Sequence, residues 1–199
     1  MNSDHVQELL TYRNEELTVE LKNQTKYVEL KKWLDENGVL YPGVEYPVAF
    51  GRNGELIGMA ASRDIPPMTA FVFVPQALHI NEDNIRARAP YMGELFDRRT
   101  DLFKTHEDAI YMPMIVYIWH EQLKGKDSFW HPYFECINTC DMPYTWKDEE
   151  LNEFQDSVLK SYILSYRESC DKERIEVLEM LRLDPECENI IPGINDPDK

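Results

Sequence analysis

Apolar residues along this chain recur first at helical spacing, then in short alternating runs, then at helical spacing again. Over residues 4–21 a thin stripe of Val6, Leu9, Leu10 and Leu17 predicts an exposed amphipathic helix. Residues 26–37 predict a second, with Tyr27, Leu30, Trp33 and Leu34 on one face and Gly38 following as a stop. The Pro42-Gly43 pair then predicts a turn. Two short strands follow, Val44–Phe50 and Leu56–Ala61. Asn53-Gly54 between them is a hairpin signal, because both positions tolerate positive φ. After the turn Asp64-Ile65-Pro66-Pro67, the nearly continuous apolar run Thr69–Val74, ended by Pro75, predicts a buried strand.

From about residue 107 the helical period returns. Met112–Leu123 predicts a helix with Pro113 tolerated in its first turn. Trp130–Tyr144 reads as an aromatic loop holding Pro132 and Pro143. Trp146–Leu151 opens another helix, its carboxylates well placed against the N-terminal dipole. The pattern continues to about Leu183, and the acidic tail from Asp184 is expected to fray. The layout predicts an α+β fold: a small, mainly antiparallel sheet followed by an all-helical region, with an N-terminal helical segment alongside. The expected divisions are 1–38 (helical), 39–106 (β domain), 107–185 (helical insert) and 186–199 (acidic tail).

Composition narrows the partners. Eleven Tyr, eight Phe and four Trp supply enough large apolar surface to exclude disorder of the whole chain. Thirty-seven acidic against 21 basic residues give a net charge of −16. That field repels phosphate backbones and anionic lipid, so the expected partners are proteins, with no nucleic acid and no membrane insertion. Met1–Gln24 holds no apolar stretch long enough for a secretory signal. The four cysteines are too sparse for a disulfide framework, so a cytoplasmic or other reducing compartment is expected.

Few residues carry an obvious chemistry. Trp119-His120-Glu121 lacks the second histidine of a zinc helix, and His120 reads as a helix-surface residue. Cys136 and Cys140 with His131 lack a second ligand pair, so two buried thiols and no metal site are expected. No Gly-rich phosphate loop and no serine nucleophile elbow occurs. The aromatics Trp130, Tyr133, Phe134 and Trp146 read either as packing anchors or as a partner-binding surface.

Three segments in succession carry a family resemblance. The first is Trp33-Leu34-Asp35-Glu36-Asn37-Gly38 with Tyr41-Pro42-Gly43-Val44. The second is Gly58-Met59-Ala60-Ala61-Ser62-Arg63-Asp64-Ile65-Pro66 with Val74-Pro75-Gln76-Ala77-Leu78-His79-Ile80. The third is Ser128–Phe134 with Tyr144–Leu151 and Phe154-Gln155-Asp156. Together they resemble SET-domain protein methyltransferases of the Rubisco large-subunit methyltransferase and actin-histidine methyltransferase type. The second matches the pattern G-L-x-A-x-x-D-I-x-x-G-E…V-P-x-x-L-x-I, the third the helical insert.

The resemblance implies S-adenosylmethionine-dependent methylation of a side-chain nitrogen, which needs an aligned, water-shielded acceptor. It also implies backbone contacts to the cofactor from an E-G-x-G segment. The matching residues are Glu55-Leu56-Ile57-Gly58, and Leu56 stands where the family has glycine. Glu55, Leu56 and Gly58 are therefore the cofactor-binding candidates, with a plain hairpin residue and a bulge as the other reading of Glu55 and Gly58. The family completes its pocket with a later Asn-His pair and a still later Tyr. No Asn-His dipeptide and no Tyr after Tyr166 occurs here. Two expectations follow. In the first, the chain is a SET-derived, non-catalytic interaction or structural subunit, with no catalytic residue and no cofactor of its own, whose unpaired sheet edge a protein partner covers. In the second, it is the N-terminal portion of an active protein-lysine or protein-histidine N-methyltransferase that uses S-adenosylmethionine.

Overall fold

Asn14 ends the first strand and begins the first helix, and this double use sets the architecture of the N-terminal part. The computed structural model describes residues 12–137 and 142–194. Strand β1 (Arg13–Asn14) pairs with β2 (Val44–Phe50), and β2 pairs with β3 (Leu56–Ala61), all antiparallel in the order β1-β2-β3. The Asn14 side chain accepts the Leu17 N–H at 3.0 Å and caps helix α1 (Glu15–Asn23). An N-cap needs extended backbone, so the helix expected over 4–21 cannot run through residue 14. Its residues 4–11 lie outside the described residues. Helix α2 (Thr25–Glu36) follows and Gly38, at φ +75°, turns the chain away from it.

The chain divides into two compact units, 1–79 with 129–137, and 80–128 with 138–199. In the first, α1 and α2 cover the sheet, and buried Tyr27, Leu30, Trp33, Val48, Ala49 and Trp130 form the core. Trp33 of α2 packs against Phe129, Trp130 and Tyr133, with ring centroids 5.3, 5.6 and 6.4 Å away. The last two flank and enter the short helix His131–Phe134.

The β2–β3 hairpin forms between the two expected strands. Its last pair is Phe50↔Leu56, and residues 51–55 form the loop, with positive φ at Gly51 and Gly54. One strand expectation needs correction: Thr69–Val74 is not a buried strand. Only Phe73 pairs, through two backbone hydrogen bonds with Leu40 (3.0 and 2.7 Å), and Phe71, Val72, Phe73 and Val74 are all exposed. An apolar run is buried only where another layer covers it, and among the described residues no layer does so.

The second unit is helical: α3 (Glu82–Arg88), α4 (Pro90–Arg98), a π-type turn (Asp101–Thr105), α5 (Met112–Leu123), α6 (Asp148–Asn152) and α7 (Ser157–Arg182). Helical structure thus begins well before residue 107. Asn81 starts it, accepting the Asn84 N–H at 2.9 Å, and Pro90 occupies the first turn of α4. Phe96, Leu95, Met92, Leu102, Val116 and Leu181 are fully buried at its centre. Residues 185–194 of the expected tail do not fray. They form the short helix Cys187–Ile190 and bury Cys187, Ile190, Ile191 and Ile194, because the isoleucines find an apolar surface to cover. Among the described residues no helix is long and apolar enough to cross a membrane.

Candidate contact face

The three residues matched to the cofactor segment lie together at the start of β3, and each is engaged locally. The Glu55 carboxylate accepts the Asn53 N–H at 3.1 Å and the Asn53 side-chain amide at 3.2 Å, which braces the hairpin loop. Leu56 carries its side chain at the first strand position and is exposed. Gly58 lies beneath the Phe50 ring, whose nearest atom is 3.5 Å from where a Cβ would stand. A Cβ added there would stand in ordinary van der Waals contact with that ring.

Beside this hairpin the first unit has an apolar cavity of about 500 Å³. Tyr27, Leu34, Val44, Met59, Val72 and Val74 contribute to its walls. Its charged lining residues are already matched: Lys22 pairs with Glu45, and Lys31 with Asp35 at 2.5 Å. Glu45 is held below the usual carboxylate range by Lys22 and, opposing its burial, by Arg13 as well. Burial beside Tyr27 pushes the Tyr46 phenol up to about 12, so it stays protonated. The cavity offers mainly apolar contact, with its two lysines and Glu45 held in ion pairs. Leu40, Phe71 and Phe73 are exposed apolar side chains of the same unit. Met68, on the turn that leads into Phe71–Val74, has φ +62° although it is not glycine. It occupies the glycine position of the D-I-x-x-G-E pattern.

The four aromatic partner-binding candidates are divided between the two units. Trp130 is 3 % exposed and belongs to the core of the first unit, with Tyr133 exposed and Phe134 half-buried beside it. Trp146 belongs to the second unit and packs on Phe154, ring centroids 6.0 Å apart.

His120 is a correction. It is buried, not a helix-surface residue, and sits between Tyr91 Oη, 2.8 Å from Nε2, and the Ile190 carbonyl beside Nδ1. A carbonyl only accepts, so Nδ1 carries the proton, and neutral Nε2 accepts from the Tyr91 hydroxyl. Burial keeps this imidazole below its ordinary pKa. Neighbouring Glu121 is also buried and satisfied, by Ser128 Oγ at 2.7 Å and Lys124 at 2.6 Å. Sequence reasoning missed this node because its partners are 29, 70 and 7 residues away. Cys136 is a core thiol that donates to the Lys26 carbonyl, its pKa raised by burial, and Cys140 lies outside the described residues. Among the described residues no group of three His, Cys, Asp or Glu could hold a metal ion.

No family model matches the chain. The actin-histidine N-methyltransferase of Canis lupus familiaris is 28 % identical over 144 residues, 70 % of this chain and 22 % of that protein. That of Homo sapiens is 26 % identical over 140 residues, with the same coverage. The chain thus spans 22 % of the length of these curated relatives. Among solved structures, Rubisco LSMT bound to sinefungin and monomethyllysine superposes with a TM-score of 0.66 at 24 % identity. The SET domain of LSMT bound to MeLysine and AdoHcy gives 0.64 at 26 %. Each covers 85 % of this chain, and the chain covers 36 % of each. The small antiparallel sheet with its following helices is therefore part of a SET fold, and the chain is similar to one part of the Rubisco LSMT and actin-histidine N-methyltransferase type of SET-domain protein.

Proposed function

We propose that this 199-residue chain acts by contact: it is a SET-derived interaction or structural subunit whose working surface is the apolar face of the first unit. The carrying observation is the exposed run Phe71-Val72-Phe73-Val74, bordering the apolar cavity. Single exposed apolar residues are ordinary, but a contiguous group of this kind marks a surface made to be covered. The hairpin supports the same reading. Glu55 is held by Asn53, Leu56 carries a side chain where the family pattern has glycine, and the Phe50 ring lies over Gly58. A side chain at Leu56 narrows the approach of a nucleoside-bearing methyl donor to the backbone.

A second reading has its own support. The solved neighbours are titled as bound to sinefungin or AdoHcy and to methylated lysine, and the curated relatives are named for methylating an actin histidine. If this chain is one portion of such an enzyme, the remainder of the fold covers the apolar face, and S-adenosylmethionine is held with it. The two are separated by incubating the purified chain with methyl-labelled S-adenosylmethionine and protein acceptors, actin included. Contact function predicts no label in any acceptor; transfer of label overturns it.

A further inference from the structure

The second unit holds a chain of hydrogen bonds that ends in a partly exposed phenol. The Ile190 carbonyl accepts from His120 Nδ1, so Nε2 presents a lone pair, 2.8 Å from Tyr91 Oη. The Lys124 ammonium donates to the same oxygen at 3.3 Å, and Glu121 holds that ammonium at 2.6 Å. His120 is 6 % exposed, whereas Tyr91 is 39 % exposed. Both line a cavity of about 370 Å³, together with Glu94, Arg98 and Glu186. A hydroxyl within hydrogen-bond reach of a base, which a third group in turn orients, is the arrangement that activates weak oxygen nucleophiles. Packing alone requires no opening at the phenol, and here the phenol meets a space large enough for a small molecule.

We propose that Tyr91 is an acyl-accepting nucleophile with His120 as its base, taking the acyl group of small, neutral, activated esters. In the step, Tyr91 Oη bonds to the ester carbonyl carbon while its proton passes to His120 Nε2. The ester C–O bond breaks with its electron pair on the leaving oxygen, which takes the proton from Nε2. Acyl-Tyr91 and a free alcohol remain. Lys124 offsets the negative charge that gathers on Oη as its proton leaves. The substrate class follows from the charges around His120. Arg98 is held by Asp184 at 2.9 and 3.2 Å, and Lys124 by Glu121, so both cations are matched. Glu94 and Glu186 line the same cavity and repel an anionic substrate. This activity goes beyond the contact reading and stands apart from it, since every residue involved belongs to the second unit.

The test is reaction of the full chain with p-nitrophenyl acetate, followed by released p-nitrophenol and by peptide mass spectrometry after acid quenching. Tyr91 is expected to take one acetyl group about tenfold or more faster than any other of the 11 tyrosines. Burial holds the His120 imidazole below its ordinary value, so its lone pair is free to accept a proton above about 6.5. The Tyr91 rate is therefore expected to be level from there to about pH 8, whereas a phenol without a base climbs steadily toward about 10. His120→Gln, shown to be folded by circular dichroism, is expected to lose this plateau and about tenfold or more in rate. Tyr91→Phe is expected to lose the fast release of p-nitrophenol. Mono-p-nitrophenyl succinate, which adds a carboxylate, is expected to react about tenfold more slowly than the acetate. Tyr91 acetylated no faster than the other tyrosines overturns the proposal, as does His120→Gln reacting like wild type. Equal reaction of the two esters overturns the substrate class. If His120→Gln does not fold, the selectivity and pH profile of wild type decide alone.

Discussion

The Thr18 hydroxyl ties the first helix to the middle of the sheet: its Oγ1 accepts the Ala49 N–H at 3.0 Å and donates to the Asn14 carbonyl at 2.6 Å. Both Thr18 and Ala49 are fully buried. Valine in place of Thr18 keeps the shape and strands a buried N–H. Thr18→Val is expected to cost about 1–3 kcal/mol, read as a lower denaturation midpoint at unchanged m-value.

Trp130 and Tyr133 separate packing from contact within one aromatic cluster. Trp130→Ala removes a buried indole against Trp33. It is expected to lower stability by about 3–5 kcal/mol. Tyr133→Ala removes an exposed ring, and its effect in the same chemical denaturation is expected to stay within about 1 kcal/mol.

Met68 follows Pro67 in a turn closed by the Thr69 N–H on the Pro66 carbonyl at 3.2 Å. The third position of such a turn takes positive φ and favours glycine. Met68 is fully exposed, so Met68→Gly sacrifices no packing. Thermal unfolding of that variant is expected to show a gain of up to about 1 kcal/mol.

Stability should fall in two steps on acidification. His120 has a lowered pKa in the folded protein, so below about 6.5 the unfolded chain takes up the proton first and stability drops until the folded imidazole also titrates. Asp184 is held below the usual carboxylate range by Arg98, whose guanidinium meets it at 2.9 and 3.2 Å, and by the Glu186 N–H. Its contribution is complete above about 4 and is lost as pH falls through its folded value. Urea midpoints between pH 8 and 3 check both, and His120→Phe should abolish the first step while leaving the second.

Local periodicity carried much of the fold. Helix α2 and the strands Val44–Phe50 and Leu56–Ala61 lie where their apolar spacing places them, because each covers or forms one face of one sheet. Helices α3 and α4 went unread although Asn81 and Pro90 signal them; their short apolar stripes are weak, but the caps were legible. The Phe71–Val74 run shows the limit of composition. Its residues say only that burial is favourable, and whether a layer lies above them is a property of the whole assembly. Leu56 was legible as an intrusion at a glycine position. The Phe50 ring over Gly58 was not, because it depends on hairpin register.

Isothermal titration of the purified chain with S-adenosylmethionine, with sinefungin as a second ligand, most directly probes whether the hairpin at Glu55–Gly58 still grips a methyl donor. A surface built for contact gives no heat beyond dilution with either. Saturable binding at micromolar concentration, abolished by Gly58→Val, would contradict it and return the chain to the enzymes it resembles.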